Sequence, residues 1–202
     1  MTQPLLRGRV LLVSAGLVAL AMLLAGAFGL RGPAAGEAVQ LRQAQLWRSD
    51  SPHWAPPAAL ASADDAVLDA STPWSDVDLP YGGDRAVSGS GDLAAAPPEV
   101  RWFRAVVPPE ALAPTPQGAH LYIPRWQTVG TVAVYVDGAL AWQTRGSRVW
   151  NSFNRPVWLD LGGLAQPGRP LQVHVRMASL PGVGGALSSL WAGPAESLRL
   201  SW

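Results

Sequence analysis

The chain has 202 residues, a length that fits one domain of ordinary size and a short additional segment. It contains no cysteine, and all fifteen basic residues are arginine. This composition excludes disulfides, thiolate metal sites, cysteine nucleophiles, Schiff-base lysines and P-loop lysines. Residues 31–202 carry thirteen arginines and fourteen acidic residues, a net charge of −1, which argues against a nucleic-acid partner.

The N-terminal region contains an uncharged, mostly apolar stretch of twenty-one residues at positions 10–30, preceded by Arg7 and Arg9. About 20 apolar residues span a bilayer as a helix, whereas the apolar part of a signal peptide has about 7–15. The arginines place residues 1–9 in the cytoplasm by the positive-inside rule. We therefore predict a single-pass anchor with the C-terminal domain outside the cytoplasm; in the bacterial setting that the resemblance described below implies, these are the inner membrane and the periplasm. Cleavage after the small-x-small triplet at 25–27 is the alternative.

The remaining chain divides into a predicted linker at residues 31–66 and a predicted folded domain at residues 67–202. The linker is rich in Ala, Gly and Pro, with a strand-like or weakly helical piece at 39–47. In the domain, short segments with an apolar residue at every second position are separated by Gly and Pro turns. Clear examples are residues 101–107, 157–161, 171–177 and 198–202. This pattern predicts an all-β, antiparallel β-sandwich.

The strongest local signal is a hairpin formed by residues 132–136 and 139–143 around Asp137-Gly138. Alternation of apolar residues across an Asp-Gly pair predicts a two-residue turn with positive φ at both central positions. The same alternation predicts that Leu140 and Trp142 lie on one face of the second strand.

Five short motifs together resemble a galactose-binding-like jelly roll, the domain type found at the front of family-2 glycoside hydrolases. They are Pro73-Trp74 with Val77 and Leu79-Pro80, Arg101-Trp102-Phe103-Arg104, Val134-Tyr135-Val136-Asp137-Gly138, Asn154-Arg155-Pro156 and Gly168-Arg169-Pro170-Leu171. Asp137 stands where that family usually has Asn. The resemblance implies a jelly-roll sandwich and, as one alternative, an accessory carbohydrate-binding role.

Three longer blocks, residues 122–130, 146–156 and 184–194, are similar to the extracytoplasmic sensor region of certain proteobacterial membrane signalling proteins. Those proteins are sensor histidine kinases and diguanylate cyclases. The resemblance covers about residues 67–202. It implies a membrane-anchored sensor or ligand-binding domain of a signal-transduction protein, without the output domain that such proteins carry.

The candidate binding site consists of two stretches that flank the hairpin and combine tryptophan, arginine and side-chain amides. Because the entry and exit of a hairpin lie at the same end, the two stretches are expected to be neighbours. Aromatic rings with guanidinium and amide groups suit a sugar-like or carboxylate ligand. The candidate residues are Arg125, Trp126, Gln127, Arg148, Trp150, Asn151 and Asn154. Two alternatives stay open: the tryptophans fill the core, or the surface binds a membrane protein partner.

Nothing in the sequence predicts catalysis. The three histidines, His53, His120 and His174, lack metal-ligand spacing and are expected at the surface or in packing. Asp76 and Asp78 are expected to be solvated. We therefore predict a protein that is not an enzyme, with no catalytic residue, no metal and no cofactor.

Overall fold

The computed structural model describes residues 37–62, 71–83, 96–112, 118–145, 155–166 and 168–199. These residues belong to one compact unit that begins at Ala35. Among them, no helix is long and apolar enough to cross a membrane. The membrane span predicted at residues 10–30 lies outside the described residues and stays a prediction.

Strands are the main regular secondary structure of the described residues. The strands are β1 Val39–Leu41, β2 Gln43–Ser49, β3 Ser75–Asp78, β4 Tyr81–Gly82, β5 Glu99–Val107, β6 Ala119–Ile123, β7 Trp126–Gln127, β8 Gly130–Val136, β9 Ala139–Gln143, β10 Val157–Asp160, β11 Leu171–Ser179, β12 Ala186–Leu187 and β13 Leu190–Pro194. Short 3-10 helices lie at Leu60–Ser62 and Pro109–Leu112, and a five-residue α-helix, α1, lies at Ala195–Arg199.

The strands form three antiparallel sheets. The largest has six strands in the order β3-β2-β5-β11-β8-β9, the second has four in the order β1-β13-β6-β10, and the third has three in the order β4-β12-β7. The described residues thus confirm the predicted all-β, antiparallel sandwich.

The main hydrophobic core lies between the six-stranded and the four-stranded sheets. Alternate residues of β5, β8 and β11 face it, and side chains from β6 and β13 meet them from the other sheet. The contributing residues include Phe103, Ala105, Val107, Leu121, Ile123, Val132, Val134, Val136, Val173, Val175, Leu190 and Ala192. The period of two read from the sequence is therefore confirmed for these strands.

A second apolar layer covers the other face of the six-stranded sheet. Residues 53–60, which we call the strap, cross this face beside a buried cluster of side chains. The cluster comprises Leu60, Val100, Trp102, Ala133, Tyr135 and Ala178, with Trp47, Trp54, Trp74 and Leu140 packed against it. The sheet is consequently covered on both faces over part of its area.

Polar side chains of the sheet hold the strap in place. The guanidinium of Arg176 donates hydrogen bonds to the backbone carbonyls of Trp54, at 3.1 Å, and His53. The hydroxyl of Tyr135 donates to the carbonyl of Pro57 at 2.8 Å. Because a buried polar group costs free energy unless it is hydrogen-bonded, these contacts make the strap part of the fold.

The outer layer of side chains and the position of β2 each correct an expectation from the sequence. Strand β11 alternates apolar and polar residues, which predicts one solvated face, yet His174 and Arg176 are each only 1 % exposed. His174 is therefore a packing residue. The folded domain also begins earlier than residue 67, because β2 lies between β3 and β5 within the predicted linker 31–66.

The end of the chain differs from the prediction as well. Alternation over residues 198–202 predicts a strand, but residues 195–199 form α1, with Leu198 fully buried. A short segment with apolar residues at two-residue spacing does not separate a strand from one helical turn. Residues 200–202 lie outside the described residues.

The central hairpin has the predicted turn. Asp137 and Gly138 have φ values of 46° and 86°, as a turn with two positive φ angles requires. The register shifts between Val134 and Tyr135, which pair with Trp142 and Leu140. This β-bulge places Leu140 against the outer cluster and Trp142 against the main core, so the expectation that both share one face is wrong.

Replacing Gly138 with Val is expected to lower the free energy of unfolding by more than ~1 kcal/mol, because a β-branched residue resists positive φ. A Cβ at this position meets no atom within 4 Å, so the cost arises from the backbone alone. Urea denaturation measures it. Gly138→Asn is the matched control, since Asn tolerates this conformation; equal losses for Val and Asn would contradict the interpretation.

The stability of the domain is expected to depend on pH because of His174. Burial first, and the nearby charge of Arg104 second, lower the pKa of His174 from 6.5 to about 4, with Asp137 opposing them. The unfolded chain therefore binds the proton more readily between those two values, and stability falls as the pH falls from 6.5 towards 4. From pH 7 to pH 5 this residue accounts for a loss of about 2 kcal/mol.

Urea denaturation of the wild type and His174→Gln at both pH values tests this dependence. The variant lacks the titrating ring, so it should lose about 2 kcal/mol less than the wild type on acidification. The same loss in both proteins would show that the histidine does not cause the effect.

Candidate binding cleft

A cleft of about 580 Å³ opens at one edge of the sandwich. Strand β9 ends the six-stranded sheet and β10 ends the four-stranded sheet. The cleft is lined by β7, by β9 and the two residues after it, and by the residue Arg155 shortly before β10. The lining residues are Trp126, Leu140, Ala141, Trp142, Gln143, Thr144, Arg145 and Arg155. We call this the edge cleft.

Two tryptophans form the aromatic part of the edge cleft. Trp126 is 1 % exposed and belongs to the main core, whereas Trp142 is half-buried. Their ring centroids are 6.3 Å apart with an interplanar angle of 67°, an edge-to-face contact that aromatic pairs favour. Trp126 therefore packs against Trp142 from the core side. Trp142 is the ring of the two that is accessible to a ligand.

The indole N–H of Trp126 is buried and has no hydrogen-bond partner among the described residues. A buried donor without a partner costs about 1–3 kcal/mol. The edge cleft is thus lined by a residue whose buried N–H is not satisfied by the described residues.

Backbone pairing fixes the position of Trp142. The bulge in β9 turns Trp142 towards the main core, and Thr144 closes the end of the strand. Thr144 donates its backbone N–H to the carbonyl of Val132 at 2.9 Å, and its hydroxyl accepts from the N–H of Val132 at 3.1 Å. Bulges near strand ends commonly re-aim a side chain, as this one does.

The polar part of the edge cleft is cationic. Arg145 and Arg155 are both exposed, and Gln143 and Thr144 add an amide and a hydroxyl to the lining. None of the described lining residues is acidic. Guanidinium groups recognise carboxylates and phosphates by paired hydrogen bonds, so the lining suits an anion better than a cation.

The structure brings only one of the three described candidate residues into the edge cleft. Trp126 lines it, but Arg125 is exposed, and its backbone pairs with Ser188. Gln127 lines a separate, smaller cavity of about 150 Å³ beside Gly184 and Gly185. Alternation along β7 explains this division, since neighbouring residues of a strand point to opposite faces.

The other four candidates lie outside the described residues. Arg148, Trp150, Asn151 and Asn154 fall in the chain between Arg145 and Arg155, two residues that line the edge cleft. Their part in binding stays a prediction.

Sequence reasoning missed the cleft residues Trp142, Arg145 and Arg155 as site candidates. A signal was present, because Trp142 is followed by Gln-Thr-Arg at the end of the predicted second strand of the hairpin. The bulge that places the ring of Trp142 in the cleft lining could not be predicted from the sequence, because it depends on the pairing of β9 with β8.

The chain is similar to known proteins only in its structure, at low sequence identity. No family model matches the chain, and no curated protein matches it. Among solved structures, a β-glucuronidase from Ruminococcus gnavus matches with 14% identity and a TM-score of 0.47, covering 80% of this chain and 29% of that one. A β-glucuronidase of glycoside hydrolase family 2 matches with 13% identity and a TM-score of 0.45, covering 81% and 18%.

A calcium-binding mutant of Bacteroides uniformis β-glucuronidase 2 matches with 12% identity and a TM-score of 0.46, covering 77% of this chain and 18% of that one. The chain therefore spans less than a third of the length of each of these structures.

The two cleft tryptophans should differ sharply when truncated. Trp126→Ala is expected to cost about 3–5 kcal/mol of stability, because it removes a fully buried ring from the main core. Trp142→Ala should cost clearly less, since its ring is half-buried. Thermal and urea denaturation of both variants measure the difference; equal costs would mean that Trp142 is a core residue as well.

Proposed function

We propose that this domain is a non-catalytic binding module that takes an acidic sugar in the edge cleft. The observation that carries the proposal is the combination of a half-buried tryptophan with two arginines in a cleft of about 580 Å³. That volume lies within the range of about 300–1,000 Å³ usual for small-molecule sites.

Each part of the lining has a role in this proposal. The ring of Trp142 stacks on the apolar C–H face of a pyranose. Arg145 and Arg155 pair with the sugar carboxylate, and Gln143 and Thr144 exchange hydrogen bonds with its hydroxyls. A sugar that carries a carboxylate uses all three kinds of group at once, whereas a neutral sugar leaves the arginines without partners.

The lining favours binding over hydrolysis at this cleft. Cleavage of a glycosidic bond generally uses two carboxyl groups that flank the scissile bond. The described lining residues contain none. The proposal thus develops the carbohydrate-binding alternative of the sequence analysis. The signalling role implied by the resemblance to sensor proteins stays a prediction, and none of the described residues supports it.

Titration calorimetry with D-glucuronate and D-galacturonate, and with D-glucose and D-galactose as neutral counterparts, tests the proposal. Wild-type protein should bind at least one uronate and bind its neutral counterpart about tenfold more weakly or not at all. Arg155→Gln should remove this preference, because the amide keeps hydrogen bonding but loses the charge.

Trp142→Ala should weaken binding of the uronate by about tenfold or more while the domain stays folded. Arg169→Gln, an exposed arginine outside the cleft lining, is the matched control and should bind as the wild type does. Equal affinity for uronates and neutral sugars, or an Arg155→Gln variant that keeps the preference, would contradict the proposal.

A further inference from the structure

A second concave surface lies on the outer face of the six-stranded sheet, across β3, β2, β5 and the start of β11. Its volume is about 800 Å³. The lining residues are Gln43, Ala44, Gln45, Asp76, Val77, Asp78, Arg104, Ala105, Val106 and Gln172. We call it the sheet-face groove; it shares no lining residue with the edge cleft.

Strand register arranges the polar groups of the sheet-face groove in two rows. In one row, Gln45 pairs with Asp76 on one side and with Arg104 on the other. In the other row, Gln43 pairs with Asp78, and Val106 pairs with Gln172. Residues two apart along a strand share a face and lie roughly 7 Å apart, so the two rows form one continuous polar surface.

The first row is held rigidly by its own hydrogen bonds. Nε and Nη2 of Arg104 both donate to Oε1 of Gln45, at 3.0 and 2.6 Å, and Nε2 of Gln45 donates to Oδ1 of Asp76 at 3.1 Å. The guanidinium also lies over the ring of Trp74, 4.4 Å from its centroid. A network of this kind fixes the side chains before a ligand arrives, which lowers the entropy cost of binding.

The second row offers groups that the domain itself does not use. The side chains of Gln43, Asp78 and Gln172 are exposed, and none has a hydrogen-bond partner among the described residues. Val106, in the middle of the row, is 51 % exposed, an unusual value for a large apolar residue in this domain. The groove therefore combines ready donors and acceptors with one apolar contact point.

The charge of the sheet-face groove differs from that of the edge cleft. Two carboxylates and one guanidinium line it, a net charge of −1, and the remaining polar groups are amides. An anionic ligand would meet Asp76 and Asp78 at one side of the groove. A neutral ligand with many hydroxyls instead finds acceptors in the carboxylates and both donors and acceptors in the amides.

We infer that the sheet-face groove binds a neutral glycan chain, through hydroxyl contacts with Gln43, Asp78 and Gln172 and a C–H contact with Val106. A peptide strand suits the site less well. Peptides that add to a sheet pair with an open edge, whereas the groove lies on the face of the sheet. There β2, β5 and β11 already use their backbone groups in ladders on both sides, and only β3, the outermost strand, has an unpaired edge in this sheet. This site is separate from the edge cleft and does not rest on the function proposed for it.

Affinity electrophoresis of the full chain in mild detergent tests the inference, with mixed-linkage β-glucan, xylan and galactomannan as probes in native gels. At least one of these neutral polysaccharides should retard the wild type. Val106→Arg should reduce the affinity about tenfold or more, because the long cationic side chain fills the groove. Val106→Thr keeps the shape and should stay within about twofold of the wild type.

Leu164→Arg is the matched surface control, since Leu164 is 41 % exposed and does not line the groove. It should migrate as the wild type does, relative to a gel without polysaccharide. Thermal denaturation of Val106→Arg establishes whether the variant is folded. The triple variant Gln43→Ala, Asp78→Asn, Gln172→Ala introduces no bulky group and should also lose retardation by the polysaccharide.

Three results would overturn the inference. They are a wild type that none of the three polysaccharides retards, a folded Val106→Arg variant with unchanged retardation, and a triple variant with unchanged retardation. The two sites are distinguished by crossing the variants: Val106→Arg should leave uronate binding intact, and Trp142→Ala should leave polysaccharide retardation intact.

Discussion

The structure depends on burying both faces of one strand, β11. This strand pairs with β5 along nine residues and with β8 along seven, and it occupies the middle of the six-stranded sheet. Its apolar side chains fill the core between the sheets, while His174, Arg176 and Ala178 lie under the outer layer. Because polar groups on that side leave water, they need partners, and the backbone carbonyls of the strap supply those of Arg176.

That requirement accounts for the role of residues that otherwise look like a linker. The strap has little regular structure, yet it accepts hydrogen bonds from Arg176, Tyr135 and Thr131 through its carbonyls. At its end, Leu60 donates its N–H to the carbonyl of Gly138, so the strap also contacts the turn of the central hairpin. A segment without strong secondary structure is thus fixed by the polar side chains of the sheet that it covers.

The two proposed binding surfaces lie where this coverage stops. The edge cleft opens beside β9, the last strand of the six-stranded sheet, and the bulge in β9 leaves Trp142 half-buried there. The sheet-face groove occupies part of the six-stranded sheet that carries amides and carboxylates in place of the outer apolar cluster. The cleft lining is cationic and the groove lining is slightly anionic. The net charge of the chain is near zero and does not show this separation of charge between the two surfaces.

The sequence by itself determined the class of fold, the main-core residues of β5, β8 and β11, and the turn at Asp137-Gly138. These features follow from alternation and from the backbone preferences of Asp and Gly, which act within a few residues. Only the tertiary structure decided that β2 and the strap belong to the domain, that His174 and Arg176 are buried, and that Trp142 rather than Arg125 or Gln127 meets the edge cleft. Those outcomes depend on pairing between distant strands and on what covers each face, and neither is encoded in the spacing of neighbouring residues.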